Sequence, residues 1–226
     1  MAYITLYHGS PNILQKPYYG GGKAHNDYGL GFYCTEDIEL AKEWSCTEKE
    51  GGFANQYALN TEGLTALKLN STPYHILNWL SILLQNRTFD VTPGLPADAR
   101  DYLLDNFLPE YQSFDIIVGY RADDSYFAFA KAFLNGTISL DQLRKAMNLG
   151  NLGEQVVLKS ERAFQQLEFL NAVSADYQQY FARRRERDEA ARREFQKLAS
   201  ASTATDSIYI IDILRQRWRN DDARLQ

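Results

Sequence analysis

Cysteine is scarce: Cys34 and Cys46 are the only two in 226 residues, and no Cys or His partners stand at the spacing a zinc site needs. A disulfide framework is therefore not expected, and the pair reads as reduced thiols of a cytosolic protein. No apolar run reaches the roughly 18–20 residues that span a bilayer, and no basic-then-apolar segment opens the chain, so a cytoplasmic location with no membrane contact is expected. Positive charge is not in excess either. With 24 Lys+Arg against 29 Asp+Glu the net charge is -5, which argues against general affinity for nucleic acid, because that affinity comes from phosphate neutralisation. Gly20-Gly21-Gly22-Lys23 lacks both a following Ser/Thr and a strand directly before it, so it reads as a loop over a ligand rather than a phosphate-binding loop. Asp123-Asp124 has no third ligand nearby, so no metal is expected and helix capping is the simpler role.

What is present is a large apolar fraction, 45%, enough for one core with a helical extension. Alternating or continuous apolar runs predict strands at 3–8, 64–69, 115–120 and 155–159. Helical spacing places Ile38, Ala41 and Trp44 on one stripe of a helix over 36–48 with Thr35 as its N-cap. Further helices are expected at 74–85, up to Phe107, over 126–134 and from Ser139. The composition then turns polar, predicting a long helix over 174–199 whose pairs Arg185 with Glu189, Asp188 with Arg192 and Glu189 with Arg193 have i to i+4 spacing. Beyond a small-residue linker, Ile208, Ile211, Leu214 and Trp218 recur at helical intervals. The class is α+β.

Three segments carry chemistry. The first strand ends in His8-Gly9-Ser10. The stretch Asp27-Tyr28-Gly29-Leu30-Gly31-Phe32-Tyr33 then brings two glycines that let backbone approach a ligand closely, followed by Tyr33 and, eleven residues on, Trp44. Two aromatic faces on one wall suit a flat uncharged ring. Last, a glycine-rich stretch over 148–153 enters Glu154-Gln155-Val156-Val157-Leu158. Successive strand residues face opposite sides, so one of Glu154 and Gln155 looks into a cleft and the other away.

Together these segments resemble the His-Tyr-Glu branch of the ADP-ribosyltransferase superfamily, which includes the diphtheria-toxin-like and poly(ADP-ribose) polymerase-like enzymes. The chain looks closest to a small uncharacterised bacterial family that shares His-Gly-Ser, Gly-Phe-Tyr, Val-Gly-Tyr-x-Ala-Asp-Asp and Gln-Val-Val over residues 3–170. The resemblance implies an ADP-ribosyltransferase-like core of two mostly antiparallel sheets forming a split cleft, surrounded by helices. Residues 1–172 would form that catalytic domain and 173–226 a helical extension. NAD would be the substrate: His8 would bond its ribose, Gly9 its carboxamide, and Tyr33 with Trp44 would sandwich the nicotinamide, with Ser10, Tyr28 and Gly31 around them. Ala41 stands where some relatives place a carboxamide-bonding serine. Glu154 or Gln155 would face the ribose as the third motif, and with His8 they are the candidate catalytic residues. The implied activity is mono-ADP-ribosyl transfer to protein, RNA or DNA by a bacterial toxin or phage-defence effector, with an antitoxin as partner. The alternatives are an idle NAD-binding or ADP-ribose-binding module and an NAD glycohydrolase.

Overall fold

Strand β1 (Tyr3–Ser10) alternates as expected and pairs antiparallel with β3 (Gly52–Asn60), which in turn pairs antiparallel with β7 (Leu167–Ala175), giving a three-stranded sheet of order β1-β3-β7. The second sheet has the order β2-β6-β5-β4, built from β2 (Phe32–Cys34), β4 (Ala66–Lys68), β5 (Ile116–Tyr120) and β6 (Glu154–Leu158). Its pairs are antiparallel except β4 with β5. The computed structural model describes residues 2–88, 90–122, 124–149 and 153–225, among which eight α-helices and these two sheets form a mixed α+β fold.

The sheets meet where the chain needs them to. Tyr7 and Thr35 exchange backbone hydrogen bonds of 2.7 and 3.0 Å, so the end of β1 lies beside β2 although neither strand belongs to the other's sheet. Leu6, Phe32, Cys34, Tyr57, Leu59, Ile116, Val156 and Leu158 fill the space between the sheets. On its other face the second sheet packs against helices. The central one is α2 (Ile76–Asn86), every residue of which from Ile76 to Leu84 is buried; α3 (Leu95–Phe107), α4 (Asp124–Leu134) and α5 (Leu140–Ala146) surround it. Short α6 (Glu161–Gln165) precedes β7. Asp115, just before β5, ties this corner together. Its carboxylate accepts from Thr65 N, Thr65 Oγ1, Ser160 Oγ and Arg162 Nη2 at 2.5–2.9 Å, and these bonds outweigh the upward push of desolvation to hold the carboxyl well below its ordinary range.

Several expectations shift in detail. Helix α1 runs Ile38–Ser45 and is capped by Asp37 rather than Thr35; the Asp37 carboxylate accepts from Glu39 N and Leu40 N, leaving Thr35 free to bridge to β1. The strand expected over 64–69 contracts to Ala66–Lys68. Strand β7 was not expected, and because it continues to Ala175 the 172/173 boundary falls inside it. Asp123 and residues 150–152 of the glycine-rich entry lie outside the described residues.

The extension is docked on the body. Helix α7 (Tyr177–Ser200) shows the anticipated Arg185–Glu189, Asp188–Arg192 and Glu189–Arg193 pairs. It also reaches α1, where Arg187 clamps buried Glu43 through Nε and Nη2 at 3.1 and 2.8 Å and Arg183 pairs with Glu39 at 2.7 Å. Phe195 stacks on Phe129 of α4 at 4.0 Å. Helix α8 (Ile210–Gln216) buries Ile210 and Ile213 among the helices. No helix among the described residues is long and apolar enough to cross a membrane.

Candidate functional site

A cavity of about 350 Å³ opens where β1 meets β2 and the start of β6, within the size range of small-molecule pockets. His8, Gly9, Gly31, Tyr33, Trp44 and Gln155 all line it, drawn from three strands, a turn and a helix. Ser10 is not in this lining; its hydroxyl donates to Asn12 O and accepts from Asn55 Nδ2. Tyr28 is not either. It is fully buried behind the turn and donates its hydroxyl to Tyr120 O at 2.6 Å.

At the end of β1, His8 Nδ1 lies 2.7 Å from Tyr33 O. A carbonyl only accepts, so Nδ1 carries the proton and Nε2 is a lone-pair acceptor. Burial lowers the His8 pKa below its ordinary value, partly countered by that hydrogen bond. Gly9 has a packing reason: a Cβ there would stand 2.1 Å from Ala41 O and 3.0 Å from Trp44 Cβ. Only a bare backbone lets α1 come close enough to bring Trp44 to the cleft. Ala41 is therefore buried against β1.

The turn before β2 is locked from several sides. Gly29 has φ +75°, a conformation glycine adopts without strain. The Tyr33 hydroxyl donates to Gly29 O at 2.6 Å and accepts from Tyr28 N at 3.0 Å. Lys159 Nζ donates to Tyr28 O and Leu30 O at 2.5 Å, and burial lowers its pKa to about 8. Burial also pushes the Cys34 thiol well up, so it is no nucleophile.

The third motif resolves by register. Tyr33 pairs with Val157, so the two share a sheet face, and Gln155, two residues along β6, shares it too. Gln155 is 4% exposed and lines the cavity, while Glu154 points to the opposite side, exposed and bonded to Asn70 Nδ2. The cleft-facing residue of the pair is thus the amide.

The carboxylate of the cavity comes from a position to which sequence reasoning assigned no role. Asp27, 4% exposed, accepts from Arg87 Nε and Nη2 at 2.9 Å, from Ala122 N at 3.0 Å and from Gln155 Nε2 at 2.9 Å. Arg87 follows the end of α2 and Ala122 the end of β5, so three separated segments converge on it. Arg121 was also unanticipated; its guanidinium lies 4.0 Å over the Trp44 ring, a cation–π contact of a strong class. Trp44 Nε1 is buried without a hydrogen-bond partner among the described residues. Leu14, Pro17 and Tyr18 from the loop before the turn complete one wall, but Lys23 and His25 are exposed and outside it. Among the described residues no group of three His, Cys, Asp or Glu side chains could hold a metal ion.

A neutral ring acceptor, an oriented amide, two aromatic walls and two arginines can receive a planar aromatic ring joined to hydroxylated and anionic parts. A family model described as a protein of unknown function (DUF3990) matches residues 4–169. No curated protein and no solved structure matches the chain.

Proposed function

Since the chain belongs to the DUF3990 family, whose function is unknown, we propose an activity from the cleft itself: it binds NAD, and the protein is an ADP-ribosyltransferase of the His-Tyr-Glu type. The observation that carries this reading is the convergence of His8, Gly9, Gly31, Tyr33, Trp44 and Gln155, up to 147 residues apart (155 − 8), on one cavity. In this reading the cavity where β1 meets β2 and the start of β6 is the ADP-ribosyltransferase-like cleft.

The chemistry is breakage of the bond between nicotinamide and ribose. The bonding pair leaves with nicotinamide, positive charge builds on the sugar as in glycoside hydrolysis, and an acceptor nucleophile closes on the same carbon. His8 Nε2 and Gln155 Oε1 are acceptors suited to ribose hydroxyls, which they would orient. Trp44 and Tyr33 wall the ring, and the buried Trp44 N–H is a donor for its carboxamide after a small shift. Arg121, over Trp44, supplies the positive charge a diphosphate seeks, whereas Arg87 is paired with Asp27. The acceptor is a macromolecule, protein or nucleic acid, and the protein acts as a bacterial toxin or phage-defence effector restrained by an antitoxin.

One observation favours a second reading. Because the strand residue facing the cleft is an amide, full negative charge is not offered directly to the sugar, which suits an NAD-binding or ADP-ribose-binding module without turnover. Incubation of the pure protein with NAD labelled in the adenylate half, with and without lysate, separates the cases. Label on protein, RNA or DNA is the expected result, and free ADP-ribose alone would indicate a glycohydrolase. NAD bound but unchanged would indicate the idle module, and no binding by calorimetry would overturn the reading altogether.

A further inference from the structure

We infer that Asp27 is the positioning residue of the cleft, fixing the Gln155 amide so that Oε1, and not Nε2, is presented to substrate; the inference rests on the NAD reading above. Gln155 Nε2 faces two groups that can only accept, Asp27 Oδ2 at 2.9 Å and Tyr120 O at 3.4 Å. Turning the amide over would set its oxygen against both, so the orientation is determined by its neighbours. No described group bonds to Oε1, and Gln155 lines the cavity.

Asp27 itself is saturated. Oδ1 takes both Arg87 contacts, and Oδ2 takes Ala122 N and Gln155 Nε2. It therefore acts through Gln155. Its charge is part of the effect, because a carboxylate drawing on the amide N–H polarises the amide and makes Oε1 a better acceptor as the sugar becomes positive. Arg87 neutralises most of that charge in the resting protein and fixes the carboxylate in place. An amide with a carboxylate behind it here fills the position where a lone carboxylate would otherwise face the ribose.

The arrangement predicts a swap. In Asp27→Asn the side chain is isosteric but can present an N–H to position 155, at the loss of the Ala122 N–H bond to the same atom, turning the Gln155 amide so that a donor meets the substrate hydroxyl. NAD affinity should change little while the single-turnover rate of nicotinamide release falls about 100-fold, the scale of losing one preorganised contact. Gln155→Glu alone brings two carboxylates into hydrogen-bond contact, where they cannot both ionise, and should be slow as well. In the double variant Asp27→Asn with Gln155→Glu, the new amide donates to the new carboxylate and the rate should return to within roughly tenfold of wild type.

Single-turnover rates and NAD dissociation constants for wild type and the three variants, with circular dichroism melting to check folding, test this. A slow Asp27→Asn rescued by the double variant is the expected result. An active wild type with an equally active, folded Asp27→Asn overturns the inference alone, as does failure of the folded double variant to recover. Should Asp27→Asn not fold, Gln155→Glu decides: a rate below wild type supports the coupling, and an equal or higher rate overturns it. If wild type neither binds nor cleaves NAD, the functional reading falls and this inference with it.

Discussion

Replacing Arg187 by Ala is the perturbation whose consequence can be worked furthest. Glu43 is 1% exposed in α1, and both of its carboxylate oxygens are met by Arg187, whose side chain is 24% exposed. Truncation removes a bidentate partner and leaves a buried carboxylate without it, a change that costs about 3–5 kcal/mol when no water can reach the site. Since the arginine side is partly open, water can enter the gap, and about 3 kcal/mol is expected. For a chain of this size that is roughly 6–12 °C in Tm. Changing both partners, Glu43→Met with Arg187→Met, removes the buried charge along with its counterion and should lie within about 1 kcal/mol of wild type. Urea unfolding of wild type, the single and the double variant measures all three. A loss below about 1 kcal/mol for Arg187→Ala, or a double variant as unstable as the single, would refute the reasoning.

Glu154→Gln should be nearly silent in NAD cleavage, whereas Gln155→Ala should cost two to three decades of single-turnover rate, about 2.7–4 kcal/mol; the reverse order would show that the cleft face of β6 is misassigned. Tyr33→Phe breaks both bonds closing the turn before β2 and should cost about 1–2 kcal/mol of stability and weaken NAD, while Tyr28→Phe loses only its bond to Tyr120 O and should leave NAD titrations near wild type. The lowered His8 pKa means that, as pH falls below the ordinary value of 6.5, the unfolded chain takes a proton before the native one does. Stability from His8 is then fully present above 6.5 and declines as pH drops toward the native pKa, so urea unfolding at stepped pH should show this slope in wild type and lack it in His8→Gln. Arg121→Ala removes the cation lying over Trp44 at the cavity and should weaken NAD binding roughly tenfold; unchanged or tighter binding would mean that Arg121 does not meet the ligand.

Much of the molecule was readable from pattern, and what escaped has physical causes. The strand over 115–120 and helix α2 were legible because burial on all sides demands uninterrupted apolar residues. Strand β7 escaped because, of its nine residues, only Ala175 is buried, and its alternation stops after Leu170, beside the irregularity opposite Gln56 and Tyr57. The i to i+4 pairs of α7 are local and visible, while Arg187 with Glu43 spans 144 residues and has no local signature. At Glu154 and Gln155 alternation established that the two differ in direction, but parity is set by which residue of β2 meets Val157. Asp27 was the largest omission. An aspartate at the head of a glycine turn reads as a solvated turn residue, and it is buried here only because Arg87, Ala122 and Gln155 arrive from elsewhere. A usable signal was Arg87 directly after an apolar helix, a cation placed where the core must supply its partner.

The helical extension and the cleft form one load path, since α1 is the piece they share. Glu39 and Glu43 turn one face of α1 to Arg183 and Arg187 of α7. Ala41 O meets the bare backbone of Gly9, which leaves no room for even a methyl group. Trp44, the next residue after Glu43, then stands at the cavity wall under Arg121. Packed interiors transmit displacement rather than absorb it, so Arg187→Ala should weaken NAD binding although no residue of 177–200 lines the cavity; equal NAD titrations for the variant and wild type would show that clamp and cavity are independent. Polar α7, with Tyr180 and Ala191 buried, is held on the body by the Glu43–Arg187 pair, by Phe195, Leu198 and Ala199 against the helices and by Tyr180 and Phe181 against Cys46 and Ala175.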